Sequence, residues 1–287
     1  MRDPRAGAVD DLAEPPGSGE QASWPAGRFT NPVRLAVVDS TNRYLRDAAL
    51  AGAPEGVSVL ADEQLAGRGR RGRSWVSPRG ASVLVSVLFR PPAGATWVHL
   101  VPTAVALAAR DAARDVAGVE VGLKWPNDLL VGDAKLGGVL AEVAGEPPAI
   151  VVGLGMNLAW PVGWPPAGEL AALVEGATTL ERAAGGRVER DRFEARLLER
   201  VGRRYDDLAT GRGRRATLEG YRAACTTIGR DVRVVLGTCE LEGRATGVAD
   251  DGRLVVALAG GTTREFDAAD VVHLRRARRP GCLETGD

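Results

Sequence analysis

Only two of the 37 basic residues in the chain are lysines, and Lys124 and Lys135 lie eleven positions apart. Lysine offers a compact, rotatable ammonium, whereas arginine offers a planar guanidinium. A lysine kept in an arginine-rich chain therefore indicates a site that needs the compact cation; chance is the alternative explanation. Each lysine lies in a punctuated motif, KWPND at 124–128 and KLGGVLAE at 135–142. These motifs are the first candidates for chemistry.

A segment rich in glycine and arginine precedes both lysines. Residues 67–75 read GRGRRGRSW, and the span 64–110 holds seven arginines and no carboxylate in a chain of zero formal net charge. Glycine lets the backbone approach a ligand closely, and arginine binds phosphate or carboxylate through paired N–H groups. The segment predicts a phosphate-gripping loop that is mobile until a ligand orders it; a solvated basic turn is the alternative. A second run, GRGRR at 211–215, is predicted to lie between two helices and is given no function.

Several familiar sites are excluded by their surroundings. The first six residues of the 67–75 segment match G-x-G-x-x-G, but neither the helix nor the later acidic residue of a dinucleotide site follows. Neither lysine is followed by Ser or Thr, which excludes a P-loop. His99 and His273 are far apart, and the three cysteines are scattered, so histidine triads and His- or Cys-rich metal sites are not expected. Lysine, arginine, aspartate and backbone groups remain as the expected sources of chemistry.

Hydrophobic periodicity predicts the elements that carry these motifs. Strands are predicted at 33–38, 57–62, 82–90, 119–125, 129–133, 135–143 and 149–157. Helices are predicted at 42–50, 98–116 and 191–208, with two or three helices in all between a surface loop at 160–168 and about residue 224. Ser40 or Thr41 is expected to cap the first helix. This mixture of adjacent strands and interspersed helices indicates an α+β fold.

The C-terminal part has a different pattern. From residue 230 onward, short alternating strands are separated by Asp-Gly and Gly-Gly turns, which predicts a small SH3-like barrel. The predicted organisation is a disordered extension at 1–30, a catalytic domain at 31–226, the SH3-like domain at 227–276 and a solvated tail at 277–287. Without a signal-peptide core, a long apolar run or a net charge, the chain is predicted to be cytoplasmic, with no membrane or nucleic-acid partner.

Five motifs occur in a specific order: DSTN at 39–42, EQLAGRGRRGRSW at 63–75, KWPND, KLGGVLAE, and GLGMNL at 153–158. Together with the small β domain, they resemble the biotin protein ligases, from about Val33 to Leu274. The resemblance implies a fold related to class II aminoacyl-tRNA synthetases, with a C-terminal SH3-like domain. Some bacterial members begin with a DNA-binding winged helix. Fewer than 35 residues precede the first predicted strand, so a form without that domain and without operator binding is expected.

The resemblance implies a two-step reaction. Biotin and Mg-ATP give biotinyl-5′-AMP and pyrophosphate, and a lysine of a biotin carboxyl carrier domain, from acyl-CoA or pyruvate carboxylases, then displaces AMP. Biotin and ATP are the substrates, and Mg²⁺ is expected to arrive with ATP rather than at an assigned protein site. The protein is expected to act as a monomer or weak homodimer.

The resemblance also implies site residues, which overlap because some groups would contact both substrates. Biotin contacts fall on Ser40, Thr41, Asn42, Gln64, Arg68, Gly69, Arg70 and Lys135. Adenylate or ATP contacts fall on Arg68, Arg70, Arg71, Arg73, Trp75, Lys124, Asn127 and Asn157. Catalytic roles fall on Lys135, Arg70, Lys124 and Asp128.

The residue types support this chemistry independently of the resemblance. Adenylation joins a carboxylate to a polyphosphate, so cationic donors must offset their repulsion. Lys135 is predicted to place its ammonium between the biotin carboxylate and the α-phosphate. Asp128 is assigned either to the incoming amine or to Mg²⁺, and Trp75 either to an apolar wall beside the adenylate or to the core.

Three other functions stay open. A lipoate–protein ligase or octanoyltransferase would share the fold and the acyl-to-lysine logic, but the Gly-Gly-Gly motif followed by His-Asp has no counterpart here. A biotin-sensing protein without catalysis would keep the binding residues. Binding of nucleic acid would depend on the arginine segment and the RRARR tail alone, and is a minor hypothesis.

Overall fold

The computed structural model describes residues 28–274, except 30, 147, 166–167, 237–238, 259 and 268. The solvated tail and nearly all of the predicted N-terminal extension lie outside this part. The end of that extension is an exception, because Phe29 is buried and its ring contacts Phe89 and Tyr205. The sequence prediction missed this anchor, since a single phenylalanine after a Pro/Gly-rich stretch carries no periodicity.

The helices lie close to their predicted positions. Within the described residues they are α1 Thr41–Leu50, α2 Val101–Ala117, α3 Glu169–Leu173, α4 Leu180–Ala184, α5 Arg190–Asp207 and α6 Gly211–Ala224, with short 3₁₀ turns at Arg70–Gly72 and Val98–Leu100. Four helices rather than two or three thus follow the 160–168 loop. The additional ones are a single turn or slightly more, which is too short for a helical period to show in the sequence.

The placement of the second arginine run between two helices was wrong. GRGRR forms the first turn of α6. The hydroxyl of Thr210 accepts a hydrogen bond from the Gly213 N–H, which caps the helix, and an added Cβ at Gly213 would lie 2.0 Å from the Asp207 carbonyl oxygen. Arg214 reaches back to the Leu208 carbonyl oxygen just after α5. The glycine therefore allows two helices to meet closely, and the arginine neutralises a helix C-terminus.

The strands form two sheets. The first has the order β1-β2-β3-β7-β6-β5-β4, made of β1 Val33–Leu35, β2 Ser58–Ala61, β3 Ser82–Phe89, β4 Gly122–Lys124, β5 Asp128–Val131, β6 Ala134–Ala144 and β7 Ala149–Asn157. β1 and β2 are parallel, whereas the pairs β2–β3, β3–β7, β7–β6 and β6–β5 are antiparallel. Every residue of β3 is buried, as expected of a central strand with both faces covered.

One face of this first sheet changes from apolar to polar along the strands. Towards one end, Leu88 of β3 and Val151 of β7 pack in a buried cluster with Leu45 of α1. Further along the same face, Ser86 pairs with Gly153 and Ser82 pairs with Asn157. Serine and glycine in the centre of a buried sheet leave room for polar groups. The end of α1 that begins at Thr41 lies over this polar half.

Helices α2 and α5 are joined by a ladder of ion pairs. Asp111 and Asp115, one turn apart on α2, face arginines that repeat every four residues on α5. Arg204 binds Asp111 at 2.6 Å, and both Arg196 and Arg200 bind Asp115. Asp111 is buried, so its charge needs this compensation.

The second sheet is antiparallel, with the order β11-β10-β9-β8-β12, made of β8 Asp231–Leu236, β9 Cys239–Val248, β10 Leu254–Leu258, β11 Thr263–Phe266 and β12 Asp270–His273. The predicted short alternating strands of this region are confirmed. The chain divides into two compact units, and the second contains Lys124–Pro126 in addition to everything from Cys225 onward. Trp125 is buried in this second unit, where its indole N–H donates to the Gly252 carbonyl oxygen at 3.0 Å.

Candidate active site

The start of α1 is bound by a side chain from a distant loop. Ser40 occupies the N-cap position in an extended conformation, but its side chain makes no capping hydrogen bond. Instead, Gln64 Oε1 accepts hydrogen bonds from the Thr41 N–H at 2.8 Å and from the Thr41 hydroxyl at 3.0 Å. A parallel bridge between Val38 and Gln64 places that side chain. Two predicted biotin-binding motifs, DSTN and EQLAG, therefore meet here.

Asn42 lies at the centre of a buried polar network. The Ser86 hydroxyl is 2.7 Å from Asn42 Oδ1 and 2.8 Å from the Thr41 hydroxyl. Asn42 Nδ2 donates to the Leu140 carbonyl oxygen at 3.2 Å and to Glu142 Oε2 at 2.9 Å, and Arg46 binds the other oxygen of Glu142 at 3.1 Å. Both the N–H groups and the oxygen of the Asn42 amide thus have protein partners.

Two glycines of β7 make room for the elements over the sheet. A Cβ added to Gly153 would lie 2.2 Å from Asn42 Oδ1, and one added to Gly155 would lie 2.7 Å from the indole ring of Trp75. Residues two apart on a strand point to the same face. One face of β7 therefore receives α1 at Gly153 and the arginine segment at Gly155.

The arginine segment folds as a tight hairpin. The Trp75 N–H donates to the Gly67 carbonyl oxygen at 2.9 Å, and the Gly69 N–H donates to the Arg73 carbonyl oxygen at 2.7 Å. At its tip, Arg71 has φ 57°, a left-handed conformation that is uncommon for a residue other than glycine. Arg68, Arg71 and Arg73 are exposed and Arg70 is half-buried. The hairpin therefore presents a cluster of cations, and its predicted mobility stays a prediction.

Trp75 fastens the base of this hairpin to the sheet. Its ring lies against Gly155, and its indole nitrogen is buried without a hydrogen-bond partner in the described part of the chain. The residue as a whole is half-buried. This position is compatible with both predicted roles, a wall of the site and a packing residue.

Lys135 and Asp128 lie side by side on neighbouring strands. Lys135 Nζ is 2.7 Å from Asp128 Oδ1, and the side chains keep 40% and 21% of their surface exposed. Asp128 pairs with Gly138, which in turn pairs with Gly155 under Trp75. Paired residues of antiparallel strands project from the same face. The ammonium, the carboxylate and the base of the arginine hairpin are thus aligned on one face of the sheet.

The backbone of Lys135 is held by a segment that the sequence reading assigned no role. The Lys135 N–H donates to the Gly176 carbonyl oxygen and the Thr178 N–H donates to the Lys135 carbonyl oxygen, both at 2.8 Å. Asn157 supports the same segment, because its Nδ2 donates to the Thr178 carbonyl oxygen and its Oδ1 accepts from Ser82. Asn157 is buried, and in the structure its side chain holds the residues beside Lys135 in place.

Two other predicted ATP residues belong to the KWPND motif. Lys124 ends β4, is half-buried and belongs to the second compact unit. Asn127 lies in the turn before β5, where its Nδ2 donates to the Val139 carbonyl oxygen at 3.0 Å. Their assignments to ATP stay predictions. The structure shows a turn-forming role for Asn127.

Among residues 28–274 that the structure describes, no three His, Cys, Asp or Glu side chains lie close enough together to hold a metal ion. No helix in this part is long and apolar enough to cross a membrane. Positive charge on the hairpin and on Lys135 dominates the site, with one carboxylate beside the lysine. Such a surface suits an anionic ligand.

Comparison with known proteins identifies the family of this arrangement. A family model described as the biotin/lipoate A/B protein ligase family matches residues 35–157, and one described as the biotin protein ligase C-terminal domain matches residues 227–274. The biotin–[acetyl-CoA-carboxylase] ligase of Mycobacterium tuberculosis is 37% identical over 251 residues, which cover 84% of this chain and 88% of that protein. The chain belongs to the biotin protein ligase family.

Two further relatives extend this result. The bifunctional ligase/repressor BirA of Escherichia coli is 33% identical over 228 residues, which cover 77% of this chain and 68% of that protein. Among solved structures, the biotin protein ligase from Aquifex aeolicus in complex with biotin and ATP superposes with a TM-score of 0.73 at 24% identity, covering 86% of this chain and all of that one. At this identity, the likeness supports the biotin protein ligase fold, a mixed sheet with helices plus a C-terminal antiparallel sheet.

Four residues of the site were not singled out from the sequence as ligand or catalytic groups. Ser86, Arg46, Glu142 and Gly153 surround Asn42, but each lies in an ordinary strand or helix pattern. The available signals were a serine inside the apolar strand SVLVSVLF and a glutamate at the end of KLGGVLAE. Each is weak alone, since only the strand pairing brings them to α1.

Proposed function

We propose that this chain is a biotin–protein ligase that makes biotinyl-5′-AMP from biotin and Mg-ATP and transfers biotin to a lysine of a biotin carboxyl carrier domain. The main support is the alignment of Lys135, Asp128 and the arginine hairpin on one face of the sheet. Relatives named biotin–[acetyl-CoA-carboxylase] ligase support the choice of biotin and of an acyl-CoA carboxylase carrier.

In the first step, the biotin carboxylate attacks the α-phosphorus of ATP and pyrophosphate leaves. The Lys135 ammonium lies between the two reacting anions in this proposal and reduces their repulsion, while Arg68 and Arg70 hold phosphate oxygens. Before substrate arrives, the Asp128 carboxylate neutralises Lys135 at 2.7 Å. When the lysine turns to the substrates, Asp128 is released to contact the incoming amine.

In the second step, the ε-amine of the carrier lysine attacks the acyl carbon of the adenylate and AMP leaves. The amine must lose a proton as the amide forms, and in this proposal the proton goes to Asp128, the carboxylate that pairs with Lys135 before substrate arrives. Ser40, Thr41, Gln64 and Gly69 are assigned to biotin. Arg71, Arg73, Trp75, Lys124, Asn127 and Asn157 are assigned to the nucleotide or to its supporting shell.

Magnesium enters the proposal with ATP. Carboxylate oxygens suit Mg²⁺, and this ion usually keeps several waters while binding one or two carboxylates and substrate phosphates. Asp128 is the side chain of the site that fits this description. The ion would reduce the negative charge of the phosphates when bound.

Domain roles follow the two compact units. We assign catalysis to residues 31–226, within a fold related to class II synthetases, and an accessory SH3-like role to residues 227–276. The five-stranded antiparallel order of the second sheet supports the latter. Monomer or weak homodimer is the proposed state in solution.

The test is transfer of biotin to an isolated carrier domain. Incubation with ATP, Mg²⁺ and biotin is expected to add one biotin to the carrier lysine, detected by intact mass, and lipoate is expected to add nothing. Modification by lipoate but not biotin would instead establish a lipoate ligase. Tight biotin binding without modification would establish a sensor.

A further inference from the structure

We infer that Glu142 is a positioning residue for ligand recognition: through Asn42 and Ser86, it fixes the Thr41 hydroxyl as a hydrogen-bond acceptor for the ligand. The inference deepens the proposed function and rests on biotin being the ligand. The inference concerns which group donates and which group accepts each hydrogen bond, rather than the number of contacts.

The first step is the orientation of the Asn42 side chain. Its terminal group faces Glu142 Oε2 at 2.9 Å and the Leu140 carbonyl oxygen at 3.2 Å. A carboxylate and a carbonyl can only accept hydrogen bonds, so the amide nitrogen must face them. The amide oxygen is therefore turned to Ser86, at 2.7 Å. Arg46, which binds the other oxygen of Glu142 at 3.1 Å, keeps the carboxylate in place.

The second step is a count of hydroxyl protons. Three contacts, Ser86–Asn42 at 2.7 Å, Ser86–Thr41 at 2.8 Å and Thr41–Gln64 at 3.0 Å, share the single protons of two hydroxyls. Asn42 Oδ1 is buried and cannot donate, so the Ser86 proton goes to it. The Thr41 proton then goes to Ser86 or to Gln64. In either case it is used inside the protein.

The third step concerns what remains for a ligand. With its proton used, the Thr41 oxygen has lone pairs to offer, and it can recognise only a donor. The ureido ring of biotin carries two N–H donors, whereas the dithiolane ring of lipoate carries none. The network therefore selects for a ligand with an N–H at this position. The network also requires Gly153, because any side chain there would displace Asn42.

Loss of the carboxylate would release the constraint. Without Glu142, only the longer hydrogen bond to the Leu140 carbonyl oxygen, at 3.2 Å, still holds the Asn42 nitrogen, so the amide rotates more readily and directs N–H to Ser86. The Ser86 proton would then turn to Thr41 and occupy one of its lone pairs. The affinity for biotin should fall, and the protein should discriminate less between ligands with and without an N–H donor at this position.

The experiment measures ligand binding by calorimetry without ATP. The variants are Glu142→Ala, Glu142→Met, which keeps most of the volume, and Glu142→Gln, which keeps an acceptor for Asn42. Glu146→Ala removes an exposed carboxylate from the turn after β6 and is the matched control. The ligands are biotin and its two cyclic carbamate analogues, in each of which one ureido N–H is replaced by a ring oxygen.

For biotin, the Ala and Met variants are expected to bind roughly tenfold more weakly, the effect of about one hydrogen bond, and the Gln variant within about threefold of the native protein. The native protein should reject one carbamate analogue more strongly than the other, and this gap should shrink about tenfold in the Ala and Met variants. Glu146→Ala should change neither quantity.

Contrary outcomes are distinct. If the native protein does not bind biotin, the proposed function fails. If it binds biotin and the Met variant keeps both the affinity and the gap between analogues, the role of Glu142 is refuted. If the Ala and Met variants do not fold while the Gln variant does, Glu142 serves folding alone and the inference is also refuted.

Discussion

At the scale of single residues, Lys135 has the most demanding task. Its ammonium must leave Asp128 and fit between two anions, which suits a compact group better than a planar one. Its position is determined from both sides of the backbone by residues 176–178. A positive charge alone is therefore not sufficient at position 135.

Substitution Lys135→Arg tests this requirement. The guanidinium should keep the ion pair with Asp128, so stability and biotin affinity should change little. The rate of adenylate formation should fall by roughly 10²–10³, as on loss of one transition-state donor. Single-turnover formation of biotinyl-5′-AMP measures this rate. The control is Arg79→Lys, which makes the opposite exchange of cation at an exposed position. A rate within a factor of about three of the native one would show that any cation suffices.

Gly153 gives a second test at this scale. Gly153→Ala would place a methyl group 2.2 Å from Asn42 Oδ1 and 3.2 Å from Ser86 Oγ, so Asn42 must move. We expect biotin affinity to fall at least tenfold, with a cost of about 1–3 kcal/mol in the free energy of unfolding. Calorimetry and urea unfolding provide the two values.

Gly186→Ala is the control for this change. An added Cβ there meets nothing within 4 Å, and the residue has no positive φ. It should leave both values unchanged. Native affinity in Gly153→Ala would mean that Asn42 does not position the ligand site.

At the scale of elements, the sheet aligns the site, and helix α2, which packs against β6 and β7, is joined to α5 by the ladder of ion pairs. Burial opposes ionisation of Asp115, but the hydrogen bonds and charges of Arg200 and Arg196 outweigh it, so the pKa of Asp115 is lowered. For Glu199, the hydrogen bond from Arg196 is the main cause of a lowered pKa, against an opposing effect of burial. Both carboxylates therefore favour the folded state when ionised.

The sign of the pH dependence follows from these directions. A carboxyl group whose pKa is lower in the folded state stabilises it above the unfolded pKa, and this contribution is lost as pH falls through the folded pKa. We expect the free energy of unfolding to decline below about pH 4.5. Asp115→Asn should reduce it at pH 7 by about 1–2 kcal/mol and flatten the acid decline.

Urea unfolding at several pH values between 3 and 7 measures both effects. The control is Glu219→Gln, which removes an exposed carboxylate of α6. If the free energy of unfolding of Asp115→Asn falls with decreasing pH as steeply as that of the native protein, the ion pairs of the α2–α5 ladder do not cause this pH dependence.

The same scale shows what sequence could predict. Strands such as 82–90 and 149–157 were found because their apolar runs are long, and the motifs on them followed. The two one-turn helices near 169–184 were not found because they are too short for a helical period to show in the sequence. The hairpin form of the arginine segment was not found because its glycines and arginines carry no strand alternation. Glu142 was missed because its contacts are distant in the sequence. Its partner Asn42 is 100 positions away and meets it only through sheet pairing.

At the scale of the whole molecule, the KWPND motif belongs to both compact units. Lys124–Pro126 group with the second unit, and Asn127 and Asp128 with the first. The Trp125 N–H donates to Thr227 Oγ1, which also contacts His273 of β12. The sequence presents this motif as one site. The structure shows that its tryptophan is a core residue of the C-terminal unit.

The central claim is that this protein activates biotin as an adenylate. The most direct measurement is biotin-dependent release of pyrophosphate from Mg-ATP with no carrier domain present. The account predicts a burst of about one pyrophosphate per protein, with biotinyl-5′-AMP retained, and no burst with lipoate. A burst with lipoate but not with biotin, or no burst from protein that binds both biotin and ATP, would contradict it.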